Sequence, residues 1–210
     1  MNLLGIESSS RKLSVGLIKE DSFSELHSEK INDTANSLPI LSKKIINNAS
    51  LNFENLDAIC ISSGPGSFTG LRVGMSYAKG IAMALDIPIV PVSTFDSLAY
   101  KNTSEKLSAL IYSHGNTFYI CEYSLDDGIL LKSSEPKSIL KENVLELSRN
   151  IVFNGPTNIF DDLKEHDLKI EFKDLTVKNI LKIAHQNFKL LKTKSLDNLV
   201  PDYVGNFEVK

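Results

Sequence analysis

The sequence predicts a mixed α/β protein built from two lobes that meet near residue 100. Three observations support this fold class: a hairpin opens the chain, a strand–helix–strand unit follows it, and a second strand-rich stretch begins after the polar segment 101–105. Hairpins join antiparallel strands and strand–helix–strand units join parallel ones, so we expect mixed sheets flanked by helices. The first lobe is expected to span 1–100 with the tail 195–210 packed back on it, and the second lobe to span 101–194.

The elements of the first lobe follow from short apolar runs separated by turn residues. Such runs predict strands at 3–6, 13–18, 23–29, 57–62 and 87–92. Apolar residues at helical spacing predict a helix at 36–48, a long helix after the glycine-rich turn that follows the fourth strand, and a helix at 94–100.

The second lobe shows the same two kinds of pattern. Apolar runs predict strands at 107–112, 117–123, 129–132 and 151–153. Helical spacing returns at 139–147 and again at 177–192, where Ile180, Ile183, Ala184 and Leu191 form the apolar side.

The composition excludes several classes of protein. The 210 residues include 23 basic and 26 acidic side chains, and a net charge of −3 gives no basic field that would attract a nucleic-acid backbone. Only Arg11, Arg72 and Arg149 are arginines, so any nucleic-acid role has to be shared with a partner. Two cysteines are too few for a disulfide scaffold and no apolar run is long enough to cross a bilayer, so we expect a cytoplasmic protein.

The segment 62–86 carries most of the information about function. A glycine-rich turn stiffened by Pro65 is followed by Ser67 or Thr69, either of which can cap the next helix and leave its first N–H groups as a potential anion site. A Walker phosphate loop is excluded because Gly70 is followed by leucine and arginine instead of lysine and a hydroxyl residue. We therefore expect a structural turn here.

One face of the long helix is almost bare. Gly70, Gly74, Ala78 and Ala82 recur every four residues. A glycine costs a helix about 1 kcal/mol relative to alanine, so the bare face needs a reason, and close packing of another backbone is the usual one. The residues alone leave open whether that backbone belongs to this chain or to a partner.

These segments resemble one family. Gly-Pro-Gly-Ser-Phe-Thr-Gly-Leu-Arg-Val-Gly at 64–74 resembles the signature of the bacterial TsaB (YeaZ) family. Leu-Leu-Gly-Ile-Glu-Ser-Ser-Ser at 3–10 is similar to the family's first strand and the turn after it, and Val-Pro-Asp-Tyr at 200–203 is similar to its closing Pro-x-Tyr. The resemblance is most specific at 64–74.

The resemblance implies a fold and a function. TsaB proteins have the actin-like, sugar-kinase-like (ASKHA) fold of two RNase H-like lobes. They are the non-catalytic subunit that pairs with the transferase TsaD, or with a second TsaB when TsaD is absent. With the ATPase TsaE, that assembly transfers threonylcarbamoyl from threonylcarbamoyl-AMP to N6 of the adenine 3′ of the anticodon in tRNAs reading ANN codons. The chain is therefore expected to meet tRNA only through the complex, and to have no contact with membranes.

The resemblance also implies which residues do this. The helix after the signature, beside the helix at 36–46, is expected to contact TsaD through Thr69, Gly70, Val73, Gly74, Tyr77, Ala78 and Ala82. The signature turn consists of Gly64, Pro65, Gly66, Ser67 and Phe68. A vestigial nucleotide-binding turn is expected at Glu7, Ser8 and Ser9, and no cofactor is expected.

No catalytic residue or metal ligand is indicated. TsaD carries a His-x-x-x-His pair that binds a metal on one helix face, whereas His27, His114, His166 and His185 are far apart in this sequence. The alternative is an enzyme: a small phosphotransferase or ATPase of the same fold that uses Glu7 to position Mg²⁺.

Overall fold

The computed structural model of the chain describes residues 1–20, 22–147, 150–163 and 168–204. The chain folds into two units, and these consist of Met1–Ser97 with Leu175–Asp202 and of Leu98–Asp174 with Tyr203 and Val204. The boundary between the lobes lies close to residue 100, as the sequence predicts. The expected second lobe of 101–194 is wrong at its far end, because the chain returns to the first unit at Leu175.

The first unit contains a five-stranded mixed sheet. Its strands are β1 (Asn2–Glu7), β2 (Ser14–Lys19), β3 (Ser22–His27), β4 (Ala58–Gly64) and β5 (Ile89–Ser93). Their order is β3-β2-β1-β4-β5, in which β2 is antiparallel to β1 and β3, whereas β1, β4 and β5 are parallel. The carboxyl ends of β1 and β4 are therefore neighbours, which brings the β1–β2 turn close to the glycine-rich turn after β4.

The described helices are α1 (Thr34–Asn48), α2 (Phe68–Leu85), α3 (Thr94–Ala99), α4 (Val177–Gln186) and α5 (Phe188–Leu191). Helices α1 and α2 cover one face of the first sheet, where Ile45 and Met75 join the same buried core as Ile6. None of the helices within the described ranges combines the length and the apolar character needed to cross a membrane.

Helix α4 covers the other face of the first sheet. Val177, Ile180 and Leu181 are buried there in one core with Leu3. A Cβ atom at Gly5 or Gly16 would lie less than 3.0 Å from Val177 and Leu181 side chains, so both glycines make the room in which α4 sits. The sequence predicts one helix over 177–192, but it ends at Gln186 and a separate turn of helix begins at Phe188.

The second unit repeats the topology of the first. Its strands are β6 (Lys106–His114), β7 (Thr117–Asp126), β8 (Ile129–Lys132), β9 (Lys137–Leu140), β10 (Asn150–Asn154) and β11 (Lys169–Phe172). The order β11-β10-β6-β7-β8 is antiparallel around β7 and parallel from β6 to β11, and β9 also pairs with β7. Two lobes with mixed sheets and flanking helices confirm the predicted fold class.

The second unit replaces helices with tighter turns. The helix predicted at 139–147 is wrong: the end of β9 occupies its start, and the rest is the 3₁₀ helix Lys141–Glu146. Only Val144 of the 3₁₀ helix is buried. The apolar residues that resemble a helical pattern are divided between the end of strand β9 and this short 3₁₀ helix. A second 3₁₀ segment, Thr157–Leu163, follows β10 at the place where α2 follows β4.

The C-terminal tail also belongs partly to the first unit. Leu196 and Leu199 pack against the core between the first sheet and helices α1 and α2. The expected packing of the tail on the first lobe holds as far as Asp202. The final part of that expectation, 205–210, lies outside the described residues.

The position of α4 leads to a stability prediction. Leu181→Ala should lower the free energy of unfolding by about 2–5 kcal/mol, because it opens a cavity between α4 and the first sheet. Leu190→Ala is the matched control, since Leu190 is 82% exposed on α5 whereas Leu181 is fully buried. Urea unfolding of both variants gives the two values. Equal effects would contradict the placement of α4.

Candidate functional site

The bare face of α2 lies on the β1–β2 turn of its own chain. A Cβ atom at Gly70 would lie against the carbonyl oxygen of Ser8, and one at Gly74 against the Ser8 hydroxyl, in both cases closer than real side chains approach. Ala78 and Ala82 continue this face and are buried in the core beneath α2. The expectation of partner contacts is therefore wrong for Gly70, Gly74, Ala78 and Ala82, which pack within their own chain. The helix can come this close to the turn only because it has no bulky side chains at the point of contact.

The first turn of α2 is tied to the same β1–β2 turn. The Ser67 backbone N–H donates to the carbonyl oxygen of Ser9 at 2.6 Å. The Ser67 hydroxyl caps the helix by accepting from the N–H of Gly70 at 3.2 Å. Of the two caps that the sequence allows, Ser67 is therefore the one used, while Thr69 is exposed to solvent.

The glycine-rich turn is held from the other side by the C-terminal tail. Gly64 has φ +117°, and a Cβ atom there would meet the backbone carbonyl of Asp202. The Asp202 N–H donates to the carbonyl oxygen of Ser63 at 2.7 Å, and the Ser63 hydroxyl donates to the Asp202 carboxylate at 2.6 Å. No local sequence pattern predicts this contact, because it joins residues 139 positions apart.

The remaining signature residues fill the space between these contacts. Pro65 follows a cis peptide bond and is buried, and Gly66 lies against Ser9. Phe68 is 40% exposed, and the guanidinium carbon of Arg72 lies 3.7 Å above the centre of its ring. The turn thus acts as a structural element, as the sequence predicts, and its aromatic end reaches the surface.

Glu7 lies beneath this assembly and is fully buried. Its Oε1 accepts from the backbone N–H of Ser9 at 2.7 Å and from the Ser9 hydroxyl at 2.5 Å. Its Oε2 has no hydrogen-bond partner within the described part of the chain. Burial raises the pKa of the Glu7 carboxyl group, and the hydrogen bonds from Ser9 offset only part of that.

The β1–β2 turn is therefore closed in this structure. Ser8 is fully buried and Ser9 nearly so, and the backbone of α2 lies directly over them. The Glu7 carboxylate has no exposed oxygen for a phosphate or a hydrated Mg²⁺ ion to contact in this conformation. The geometry gives no support to the expected nucleotide contact at Glu7, Ser8 and Ser9.

The surface of α2 that faces solvent carries a second series of small residues. Ser76, Gly80 and Ala84 recur every four residues there and are exposed, and a Cβ atom at Gly80 would meet nothing within 4 Å. Met83 is 73% exposed beside them. These residues are absent from the interface predicted above, although their spacing equals that of the buried series.

The other residues expected at the interface lie at the margins of this outer face. Thr69 is exposed near the start of α2, and Val73 and Tyr77 are half-buried. Tyr77 also packs against the core beneath α1 and α2, and burial raises the pKa of its hydroxyl group. We define the outer face of α2 as Thr69, Val73, Ser76, Gly80, Met83 and Ala84.

The described part of the chain contains no group of three His, Cys, Asp or Glu side chains that could hold a metal ion. His27 lies on β3, His114 at the end of β6 and His185 on α4. His166 lies outside the described residues.

Comparison with known proteins identifies the family. The sequence model described as "TsaD: tRNA N6-adenosine threonylcarbamoyltransferase" matches residues 24–199. This chain belongs to that family. Within it, the chain is 28% identical to the tRNA threonylcarbamoyladenosine biosynthesis protein TsaB of Escherichia coli, over 98% of this chain and 95% of the relative. It is 27% identical to the protein of the same name from Bacillus subtilis, over 74% and 71% of the two chains.

A solved structure agrees with this assignment at the level of the fold. YeaZ from Pseudomonas aeruginosa superimposes with a TM-score of 0.80, with 20% identity over 97% of this chain and 99% of the other. This likeness shows the fold, and the sequence relatives confirm the resemblance to the TsaB (YeaZ) family.

We expect alanine substitutions in the two series of small residues on α2 to change stability in opposite directions. Gly70→Ala should lower the free energy of unfolding by about 1–3 kcal/mol, because the new methyl group overlaps Ser8. Gly80→Ala should raise it by about 0.5–1 kcal/mol, because the methyl group meets open space and the helix propensity improves. Chemical denaturation of both variants measures the difference. A destabilised Gly80→Ala would mean that the outer face is covered by the chain itself.

The raised pKa of Glu7 leads to a pH prediction. The folded protein binds the Glu7 proton more tightly than the unfolded chain, so this group's contribution to stability is complete below about pH 4 and is lost as the pH rises through its folded pKa. Glu7→Gln cannot ionise, so the variant should gain stability over the original chain between pH 4 and 8. Denaturant unfolding across this range tests it, with Glu54→Gln as the exposed control. A gain that does not vary with pH would contradict the buried acid.

Proposed function

We propose that this protein is the non-catalytic subunit that binds and activates a TsaD transferase. It works in tRNA threonylcarbamoyladenosine biosynthesis, the process that the names of its TsaB relatives state. The observation that carries the proposal is a match to TsaB over nearly the whole chain. The name of the TsaD transferase describes the transfer of threonylcarbamoyl to N6 of a tRNA adenosine, and we assign that reaction to the partner.

In this proposal TsaD performs the transfer of threonylcarbamoyl to the adenine 3′ of the anticodon in tRNAs reading ANN codons. TsaE acts on the complex rather than on this chain alone, and tRNA is held by the assembled complex. The closed turn over Glu7 supports a partner role, because a phosphotransferase using Glu7 needs nucleotide and Mg²⁺ to reach that carboxylate.

The outer face of α2 is the surface that fits this role best. Gly80 weakens the helix and has no contact that explains it, and Met83 exposes apolar surface to water. Small side chains at Ser76 and Ala84 let a second helix approach closely. Ile40 on α1 is 65% exposed and adds apolar area on the same side of the sheet. We assign this face to TsaD, and to a second copy of the chain when TsaD is absent.

A substitution at Gly80 tests the proposal. Gly80→Leu should abolish co-purification with the host's TsaD, because the leucine fills the space that a partner helix needs. The same change should leave the fold intact, since the position is open. Gly74→Leu is unsuitable because it would displace Ser8 and unfold the turn.

The experiment is co-expression with the host's TsaD followed by size-exclusion chromatography. Ser138→Leu adds an exposed leucine on β9 and serves as the matched control. Co-elution of Gly80→Leu with TsaD at the original yield would reject the outer face of α2. Failure of the unmodified chain to co-elute would reject the TsaD partnership itself.

A further inference from the structure

A row of basic residues follows the solvent side of α4 and α5. Its members are Lys178, Lys182, His185, Lys189 and Lys192, at alternating spacings of four and three residues. All are exposed except Lys182, which is half-buried. The opposite side of α4 is buried against the first sheet. We call the four lysines the lysine stripe.

The stripe concentrates positive charge in an acidic protein. Residues 175–196 contain five lysines and no aspartate or glutamate. This segment therefore carries +5 in a chain of net charge −3, which leaves −8 on the remainder. Such a separation of charge is typical of a surface that meets a polyanion.

The chain itself does not account for the stripe. Across the described residues, Lys178, Lys182, Lys189 and Lys192 form no ion pair with a carboxylate, whereas the neighbouring Lys194 pairs with Asp86. Lys178 also stands in the first turn of α4, where the helix dipole disfavours a positive charge. Two of these cations lie over aromatic rings, with Lys178 Nζ 5.8 Å from the centre of the Phe23 ring and Lys192 Nζ 5.4 Å from that of Phe188. A ring does not neutralise a charge, so an anion from outside explains these positions best.

We propose that the lysine stripe binds the phosphate backbone of the tRNA held by the complex. This inference rests on the proposed function. It adds a direct RNA contact to a subunit whose net charge of −3 by itself argues against RNA binding. Lysines act as mobile point charges and lack the planar fork with which arginine reads bases. Backbone contact without base reading suits a reaction that accepts many different tRNAs.

RNA is favoured over a membrane by the way α4 is packed. A helix that lies on a bilayer inserts an apolar face below its basic one. The apolar face of α4, with Ile180 and Leu181, is buried in the protein. Leu190 on α5 and Phe23 on β3 are exposed near the stripe, but they belong to different elements. The stripe therefore offers charge without an amphipathic helix face that could insert.

The test uses the complex of the full chain with the host's TsaD and a tRNA transcript that reads an ANN codon. Lys178→Gln/Lys182→Gln/Lys189→Gln removes three charges from the stripe. Lys106→Gln/Lys137→Gln/Lys169→Gln removes three exposed lysines of the second unit and is the matched control. Fluorescence anisotropy at several salt concentrations gives the tRNA Kd and its salt dependence.

The stripe variant should still co-elute with TsaD, because the outer face of α2 is unchanged. Its tRNA Kd should rise at least about tenfold at 0.1 M salt, and its log–log salt slope should fall by about two. The control should match the original chain. A stripe variant with unchanged Kd and slope would overturn the inference and leave the TsaD partnership intact.

Two further outcomes would also overturn the inference. One is an equal loss of tRNA affinity in the control, which would indicate a general charge effect. The other is stripe-dependent binding to vesicles containing phosphatidylglycerol with unchanged tRNA affinity, which would assign the stripe to a membrane. Failure of the original chain to co-elute with TsaD is a separate result, because it rejects the proposed function before tRNA is added.

Discussion

The contact between Ser8 and the glycines of α2 is the constraint on which the rest of the first unit depends. Gly70 and Gly74 let the helix backbone rest on the β1–β2 turn, and Ser67 fixes the register by bonding to Ser9. Once α2 is seated in this way, Glu7 is sealed below it. In this structure the β1–β2 turn supports the backbone of α2, at a position where a phosphotransferase of this fold would bind a nucleotide.

The same contact decides which surface α2 presents to other molecules. The series that begins with Gly70 and Gly74 packs against the β1–β2 turn, so the second series around Gly80 faces solvent. The two units share one strand order, yet the second covers the corresponding positions with 3₁₀ segments in place of α1 and α2. Long exposed helical faces on this side of a sheet are thus a feature of the first unit. The opposite side of that sheet carries α4 and its lysine stripe, so the exposed small-residue face and the positive charge lie on different elements.

Much of the architecture could be predicted from the sequence because it depends on local patterns. Apolar runs located most strands, and the glycine-rich signature at 64–74 identified the family. The prediction failed at 139–147, where a strand edge followed by a 3₁₀ turn imitates helical spacing. It also assigned 177–192 to the wrong lobe, since nothing within that segment shows that Gly5 and Gly16 leave space for it. The charge of the stripe was hidden because a whole-chain average conceals how lysines are distributed.

The sequence by itself determined that α2 is a long helix with small residues at regular spacing, that a serine or threonine begins it, and that the chain folds as two mixed α/β lobes. Only the tertiary structure decided that Gly70 faces inward while Gly80 faces outward, and that Glu7 is buried. The physical reason is that helical periodicity defines faces but not their neighbours. Two small-residue series are equivalent along the chain, and only contacts between residues distant in sequence distinguish the packed face from the free one.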